Sequence, residues 1–562
     1  MSVSDEELRA IITKYAAQNA VKHGGKADQV AVIGKIVSER PDIKPKLKEI
    51  LPLVREVCDY VSGLSIEKQK ELAGEVEEKK KQELRLPPLE GAENGKVVTR
   101  FAPNPNSVLH LGSSRAAILS YEYAKIYKGR FILRFEDTDP RLKRSDLKFY
   151  RYIEEDLGWL GIKWDEEYYQ SQRLPIYYDY VEKAIKIGAV YITECNREKF
   201  KEHIMEQKPC PDRDLPAEVQ LKRWEKMLSG EYKEGEAVVR VKTDLSHPNP
   251  AVRDWPALRI IDTEKYSHPI VGNKYRVWPL YNWASAIDDH LMGITHIFRG
   301  QEHFVNMVRQ KYLYEAFGWK YPHAVHYGRL MIEGKPLSKS EIEKGIKTGV
   351  YSGYDDIRLA TLKALKRRGI VPEAIKQLVL SMGINTNDAV ISLENLYAIN
   401  RKIIDPIANR YFAVFEPYVT LALKNIEIPK VVQLYKHPNR KNEIRTLTLE
   451  KAEIIIEKSD HEKNAGKEVR FMGLGNFVLG KDYAEFTDND LARAKEFPHL
   501  HWLPSDAQTE IKVLNEDGNE INGIAEQGLK GELNNVVQLE RKFFCRIESV
   551  TDNTIKAVYT SN

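Results

Sequence analysis

The chain has 562 residues, a length that sets an expectation of about four domains. Its 86 basic and 82 acidic side chains nearly cancel to +4, so contact with a polyanion has to come from local patches rather than bulk charge. Four scattered cysteines (Cys58, Cys195, Cys210, Cys545) exclude a disulfide framework and suit a reducing cytoplasm; MSVSDEELRA lacks the apolar stretch of a signal peptide, and no run reads as a membrane span.

In chain order, Ser4 to Glu7 matches a capping box, and Leu8, Ile11, Ile12, Tyr15 and Ala16 follow at helical spacing. Helical pattern continues through Val30 to Val61. Ile66 to Arg85 mixes glutamate and lysine, as a solvated helix or linker does. Pro87, Pro88 and the Gly91 to Gly95 stretch then mark a boundary, so residues 1–93 read as a helical module.

Val97 to Pro140 is the informative stretch. A β-branched run (Val97 to Phe101) leads into a Pro/Asn loop, a segment of helix formers stopped by Gly129, and a second strand, Phe131 to Phe135. This is a βαβ unit. Its polar residues stand where an open parallel sheet binds ligand: Arg100 near the end of the first strand, His110-Leu111-Gly112-Ser113 opening the helix, Glu136 and Asp137 after the second strand. Gly112 has no Cβ to hold a ligand off the backbone.

The sheet's first half reads as residues 94–191. Residues 192–277 mix charged helix, strand-like AVVRVKTDL and Pro-rich loops, as an insertion would. The sheet resumes over 278–330: a helical stretch from Trp278, a strand ITHIF ending at Arg299, another helix, and a strand beginning at Ala324. Residues 331–409 carry a Gly/Pro turn, a basic loop and connecting helices, including a basic helical stretch from Asp355 to Ile370. From 410 to 562 short alternating runs with hairpin signals at Asp517-Gly518 and Asp552-Asn553 read as all-β barrels. The fold class is therefore multidomain, α/β plus all-β.

Three motifs fail on inspection. Gly475 to Lys481 nearly spells a P-loop, but Asp482 stands where a hydroxyl should hold magnesium. Cys195, His203 and Cys210 have no Cys-x-x-Cys and no fourth soft ligand, so no zinc is expected. Asp488-Asn489-Asp490 lacks the glycine and final glutamate of a calcium loop.

HLGS (His110 to Ser113) before a helix and LSKS (Leu337 to Ser340) after the last strand together resemble the paired signatures of class I aminoacyl-tRNA synthetases. FAPNP, LRFEDTDP, HPNR (His437 to Arg440) and LHWLP (Leu500 to Pro504) extend the resemblance over most of the chain beyond residue 95, in the glutamyl/glutaminyl branch and its archaeal-type form. The resemblance implies a Rossmann-like catalytic domain split by an acceptor-end-binding insertion, a helical connector and β-barrels that bind the anticodon. It implies an ATP-dependent, AMP-forming ligase with ATP and Mg2+ as substrate, tRNA(Glu) as partner with tRNA(Gln) left open, a monomer, and a cytoplasmic location.

By the same resemblance, His110 and Lys339 are catalytic. Pro103, Asn104, His110, Gly112, Ser113, Arg329, Leu330, Ser338 and Lys339 serve ATP, with Lys339 closing over pyrophosphate from a mobile loop. Arg100, Glu136, Tyr281 and Arg299 hold the amino acid. Two arginines can clamp a side-chain carboxylate, and Arg299 stands where glutaminyl members carry a non-cationic residue. A salt bridge from Arg299 to Glu302 or Asp288 is the competing expectation. Two positions depart from the family pattern: Ser113 replaces the second histidine of the first motif, and Pro336 the first lysine of the second. The alternative functions are a glutaminyl enzyme, a small nucleotidyltransferase and an inactive RNA-binding scaffold; Arg299 speaks against the first, the insertion and β-rich part against the second, and intact phosphate-facing residues against the third.

Overall fold

The structure, a computed structural model, describes residues 5–22, 25–39, 47–74, 86–336 and 338–562. Ser4 of the expected capping box, the run 75–85 and Leu337 lie outside them. The chain divides into two compact units between Arg85 and Leu86. The first holds helices Asp5–Lys22, Gln29–Glu39, Leu47–Ser62 and Ile66–Ala73 around their own core, with Ile12, Ala16, Ile36, Val54 and Val61 buried.

The second unit opens with the βαβ element that the sequence predicts. Strand Val98–Phe101 pairs in parallel with Arg130–Phe135, which pairs in parallel with Glu166–Tyr169. Helix Leu111–Ile126 crosses between the first two strands. The sheet's other half, His296–Gly300 parallel to His323–Tyr327, meets the first at one residue. There Val98 N–H donates to Thr295 Oγ1 and Thr295 N–H to the Val98 carbonyl, each at 2.9 Å. Val98, Ile132, Met292, Ile294 and Ile297 close over this seam.

Between the halves sits a four-stranded antiparallel sheet of Val190–Thr193, Val238–Val241, Pro256–Ile260 and Val277–Pro279. Its core is continuous with that of helices Leu174–Lys186 and Tyr281–Leu291. The β-rich end forms two seven-stranded sheets. The chain lays down Arg410–Tyr411 and Ala413–Phe415 in one, builds the other from Tyr418–Lys424 to Leu503–Pro504, then returns to finish the first. Both hairpin signals hold: Gln508–Leu514 pairs antiparallel with Glu520–Glu526, and Phe543–Val550 with Thr554–Ser561.

Two local expectations need correction. The basic loop expected around Lys339 is instead the start of helix Lys339–Lys347, capped by Ser338, whose Oγ accepts from Glu341 N–H. The Ser-x-x-Glu spacing is a helix start. The basic stretch 355–370 is helical only over Leu362–Arg367. Before it, the chain runs alongside the first signature: Leu111 N–H donates to the Ala360 carbonyl and Leu362 N–H to the Leu109 carbonyl. Tertiary bonding there overrides the helical propensity of the residues.

Candidate active site

A cavity of about 760 Å³ opens over the carboxyl ends of strands Val98–Phe101, Arg130–Phe135 and His296–Gly300. Arg100, His110, Gly112, Ser113, Glu136 and Tyr281 line it, as do Arg299, Arg329, Leu330 and Ser338. Pro103, Asn104 and Lys339 line a neighbouring pocket of about 260 Å³ that shares His110 and Ser113 with it. The residues named from the sequence thus gather in one place, although they come from both halves of the sheet.

His110 is the N-cap of helix Leu111–Ile126. Its Nδ1 accepts from Ser113 N–H at 3.2 Å, and Ser113 Oγ accepts in return from His110 N–H at 2.9 Å. An imidazole whose Nδ1 accepts carries its proton on Nε2. Burial pushes its pKa down to about 4, so near neutral pH it is an uncharged Nε2–H donor. The serine that replaces the family's second histidine therefore completes a reciprocal cap around the first. A Cβ on Gly112 would come within 3.0 Å of the His110 ring and 3.5 Å of the Leu330 carbonyl, which explains the glycine.

The other end of the cavity is a buried charge cluster. Asp289 accepts from Arg100 Nε at 3.1 Å and from Arg134 Nη1 at 2.8 Å. Burial works against its charge, but these two guanidiniums hold its carboxyl below the usual range. Arg134 Nη2 also donates to Glu136 Oε1 at 3.1 Å. Burial raises the Glu136 carboxyl, against the pull of Arg134 and Arg100.

Arg299 is 5% exposed, and among the described residues it donates to neutral acceptors: His326 Nε2 at 3.2 Å, Gln310 Oε1 at 3.3 Å and the Tyr321 hydroxyl at 2.9 Å, with Tyr281 also beside it. The expected competitors do not pair with it. Asp288 instead accepts from Arg173, Gln170 and Tyr177, and no ion pair joins Arg299 to Glu302 among the described residues. Arg100 and Arg134 thus share two carboxylates (Asp289, Glu136), whereas Arg299 has no ion-paired carboxylate among the described residues, although Glu302 also lines the cavity.

Comparisons with known proteins supply the family. Residues 96–406 match the catalytic domain of the class I tRNA synthetases for E and Q, and residues 408–492 match the anticodon-binding domain of the same group. A glutamate–tRNA ligase of Pyrococcus abyssi is 50% identical over 98% of this chain and 99% of its own. One from Thermococcus kodakarensis is 49% identical over 99% of each. The chain belongs to the class I glutamate/glutamine tRNA synthetases. Among solved structures, a glutamate tRNA ligase from Elizabethkingia meningosepticum aligns at 25% identity and a TM-score of 0.39, over 56% of this chain and 70% of that one.

Sequence reasoning about this synthetase missed Asp289, Arg134, Gln310 and Tyr321. Asp289 is adjacent to Asp288 in a helix, and nothing local tells which carboxylate faces Arg100. Arg134 stands inside the quoted LRFEDTDP, and the alternation of a strand, which puts Arg134 and Glu136 on one face, was the available signal. Among the described residues no group of His, Cys, Asp or Glu is arranged to hold a metal ion, and no described helix is long and apolar enough to cross a membrane.

Proposed function

We propose that this synthetase joins L-glutamate to tRNA(Glu) in two steps, using MgATP as substrate. In the first, an α-carboxylate oxygen of glutamate attacks the α-phosphorus of ATP; the bond to pyrophosphate breaks, and glutamyl-adenylate forms. In the second, the terminal ribose hydroxyl of tRNA attacks the adenylate carbonyl and AMP leaves. Negative charge grows on the phosphates in the first step, and fixed donors aimed at it are the strongest catalytic device a protein has. In this reading His110 Nε2–H and the Lys339 ammonium are those donors, and Arg329 and Leu330 flank the adenine; the lining of the two adjoining pockets supports it. Arg100 and Arg299 receive the side-chain carboxylate, Glu136 the α-amino group, and Tyr281 the remaining polar end. The enzyme works as a monomer in the cytoplasm.

The observation that carries glutamate over glutamine is that buried Arg299 is bonded to His326, Gln310 and Tyr321 and to no carboxylate among the described residues. Glutamate arrives with net charge −1 and completes the cluster. Glutamine is neutral, so Arg299 would stay buried without a counterion, which is costly. Aminoacylation of total tRNA with labelled glutamate and, separately, glutamine tests this. Transfer of glutamate alone is expected; transfer of glutamine alone would overturn the assignment.

A further inference from the structure

We infer that Gln310 and Tyr321 are specificity-positioning residues: they hold Arg299 rigidly with neutral groups, so that its charge is left for the substrate carboxylate. This rests on the glutamate reading above.

The three side chains form a closed ring. Arg299 Nη1 donates to Gln310 Oε1 at 3.3 Å, Arg299 Nη2 to the Tyr321 hydroxyl at 2.9 Å, and that hydroxyl donates to Gln310 Oε1 at 2.7 Å. Arg299 belongs to strand His296–Gly300 and Gln310, fully buried, to helix Phe304–Ala316, while Tyr321 leads into strand His323–Tyr327. A planar guanidinium fixed at both terminal nitrogens cannot swing away from the cavity. At its Nε stands His326, whose pKa burial and Arg299 itself push down to about 4, so that partner too stays neutral.

The amide at position 310 is the telling feature. Its Oε1 takes both ring bonds, and its Nε2 is buried with no hydrogen-bond partner. A glutamate there would accept the same two bonds and leave no stranded donor, and its bond to arginine would be stronger. By hydrogen bonding alone the carboxylate is the better fit. What the amide avoids is a countercharge on Arg299. Asp289, whose charge also reaches Arg299, is bonded to Arg100 and Arg134.

The test is steady-state aminoacylation by the full chain with Gln310→Glu and Gln310→Met. Gln310→Glu neutralises Arg299 in place; it is expected to raise the KM for glutamate about a hundredfold and narrow the glutamate-over-glutamine ratio at least about tenfold, while kcat and the KM for ATP change little. Gln310→Met keeps the charge but drops the acceptor; it is expected to raise the glutamate KM about tenfold and keep the preference. Equal losses from both variants, or wild-type discrimination in Gln310→Glu, would overturn the inference. If Gln310→Glu does not fold, Tyr321→Phe decides: a glutamate KM raised severalfold with an unchanged ATP KM supports the ring, and an unchanged glutamate KM removes it. Wild-type protein that charges glutamine instead of glutamate would sink the parent reading, a result separate from any of these.

Discussion

Two arginines in this molecule are similarly buried and oppositely used. Arg445 lies in strand Ile444–Leu449, 7% exposed, with its guanidinium 4.5 Å from the Phe412 ring centre. It pairs with Glu526, and with Glu540 at 3.1 Å. Glu526 Oε1 also accepts from Phe412 N–H at 2.6 Å. Arg299 is similarly buried and donates three hydrogen bonds, but none of them goes to a charged group. At Arg445 the counterion is in the chain; at Arg299 none is bonded among the described residues, and the substrate carboxylate is the partner proposed for it. The pair shows that burial and hydrogen bonding cannot separate these roles, and that charge balance can.

Breaking each arginine in turn sharpens the contrast most. Arg299→Gln is expected to lower kcat/KM for glutamate about a thousandfold, the loss of a desolvated charge pair of about 4 kcal/mol. Its Tm should hold or rise, because an uncompensated buried charge has gone. Arg445→Gln should do the reverse. It strands Glu526 in the interior at about 3 kcal/mol, lowers Tm by several degrees, and leaves the glutamate preference of the folded fraction intact. Kinetics and thermal unfolding on the same samples check both; loss of Tm in Arg299→Gln would collapse the distinction.

Lys339 is an intermediate case. Its only close carboxylate among the described residues is the half-exposed Glu343 at 3.7 Å, a pair too weak to hold it. Lys339→Ala is expected to slow adenylate formation about a hundredfold while tRNA binding stays within about twofold; equal losses in both would remove it from the chemistry.

The smallest effect concerns a buried acid with poor compensation. Asp156 is 2% exposed, its Oδ2 has no partner, and burial raises its pKa to about 7, against the pull of Lys363 and Lys366. The unfolded chain releases this proton near 3.8 and the folded one near 7, so stability falls as pH rises between those values. Asp156→Asn should flatten that slope and add about 1 kcal/mol at pH 8. Unfolding curves at pH 5 and 8 would show it, and an unchanged slope would refute it.

The elements near the site were legible because each carries its signal locally. Val98 to Phe135 announces strand, turn, helix and strand within fewer than forty residues, and ligand groups at strand ends follow from that topology. The partners of those groups were not legible. Arg100 meets Asp289 across 189 residues and Arg299 meets Gln310 and Tyr321 from two other elements; a sequence names charges but not which are cancelled. The stretch 355–361 misled for a related reason. Its residues favour a helix, but the Ala360 carbonyl accepts from Leu111 N–H and Leu362, just beyond the stretch, donates to the Leu109 carbonyl, more than two hundred residues earlier. At Lys339 the signal was present in Ser338 and Glu341, and the resemblance to a flexible signature loop obscured it.

The single-residue seam at Thr295 bears on how the molecule assembles. Val98 and Thr295 are 197 positions apart, and closing such a loop from a free chain is entropically slow, by about 0.6 kcal/mol for each doubling of length. The inserted sheet removes most of that separation. Its core takes in Leu174 and Tyr177 on one side and Trp283 and Leu313 on the other, so the intervening chain can condense first as one body. The cavity between the halves is then expected to form after that body, an order that pulse-labelled hydrogen exchange would read as later protection of the Val98 and Thr295 amides than of the inserted sheet. An insertion known by its place between two halves is, in kinetic terms, the scaffold that brings them within reach.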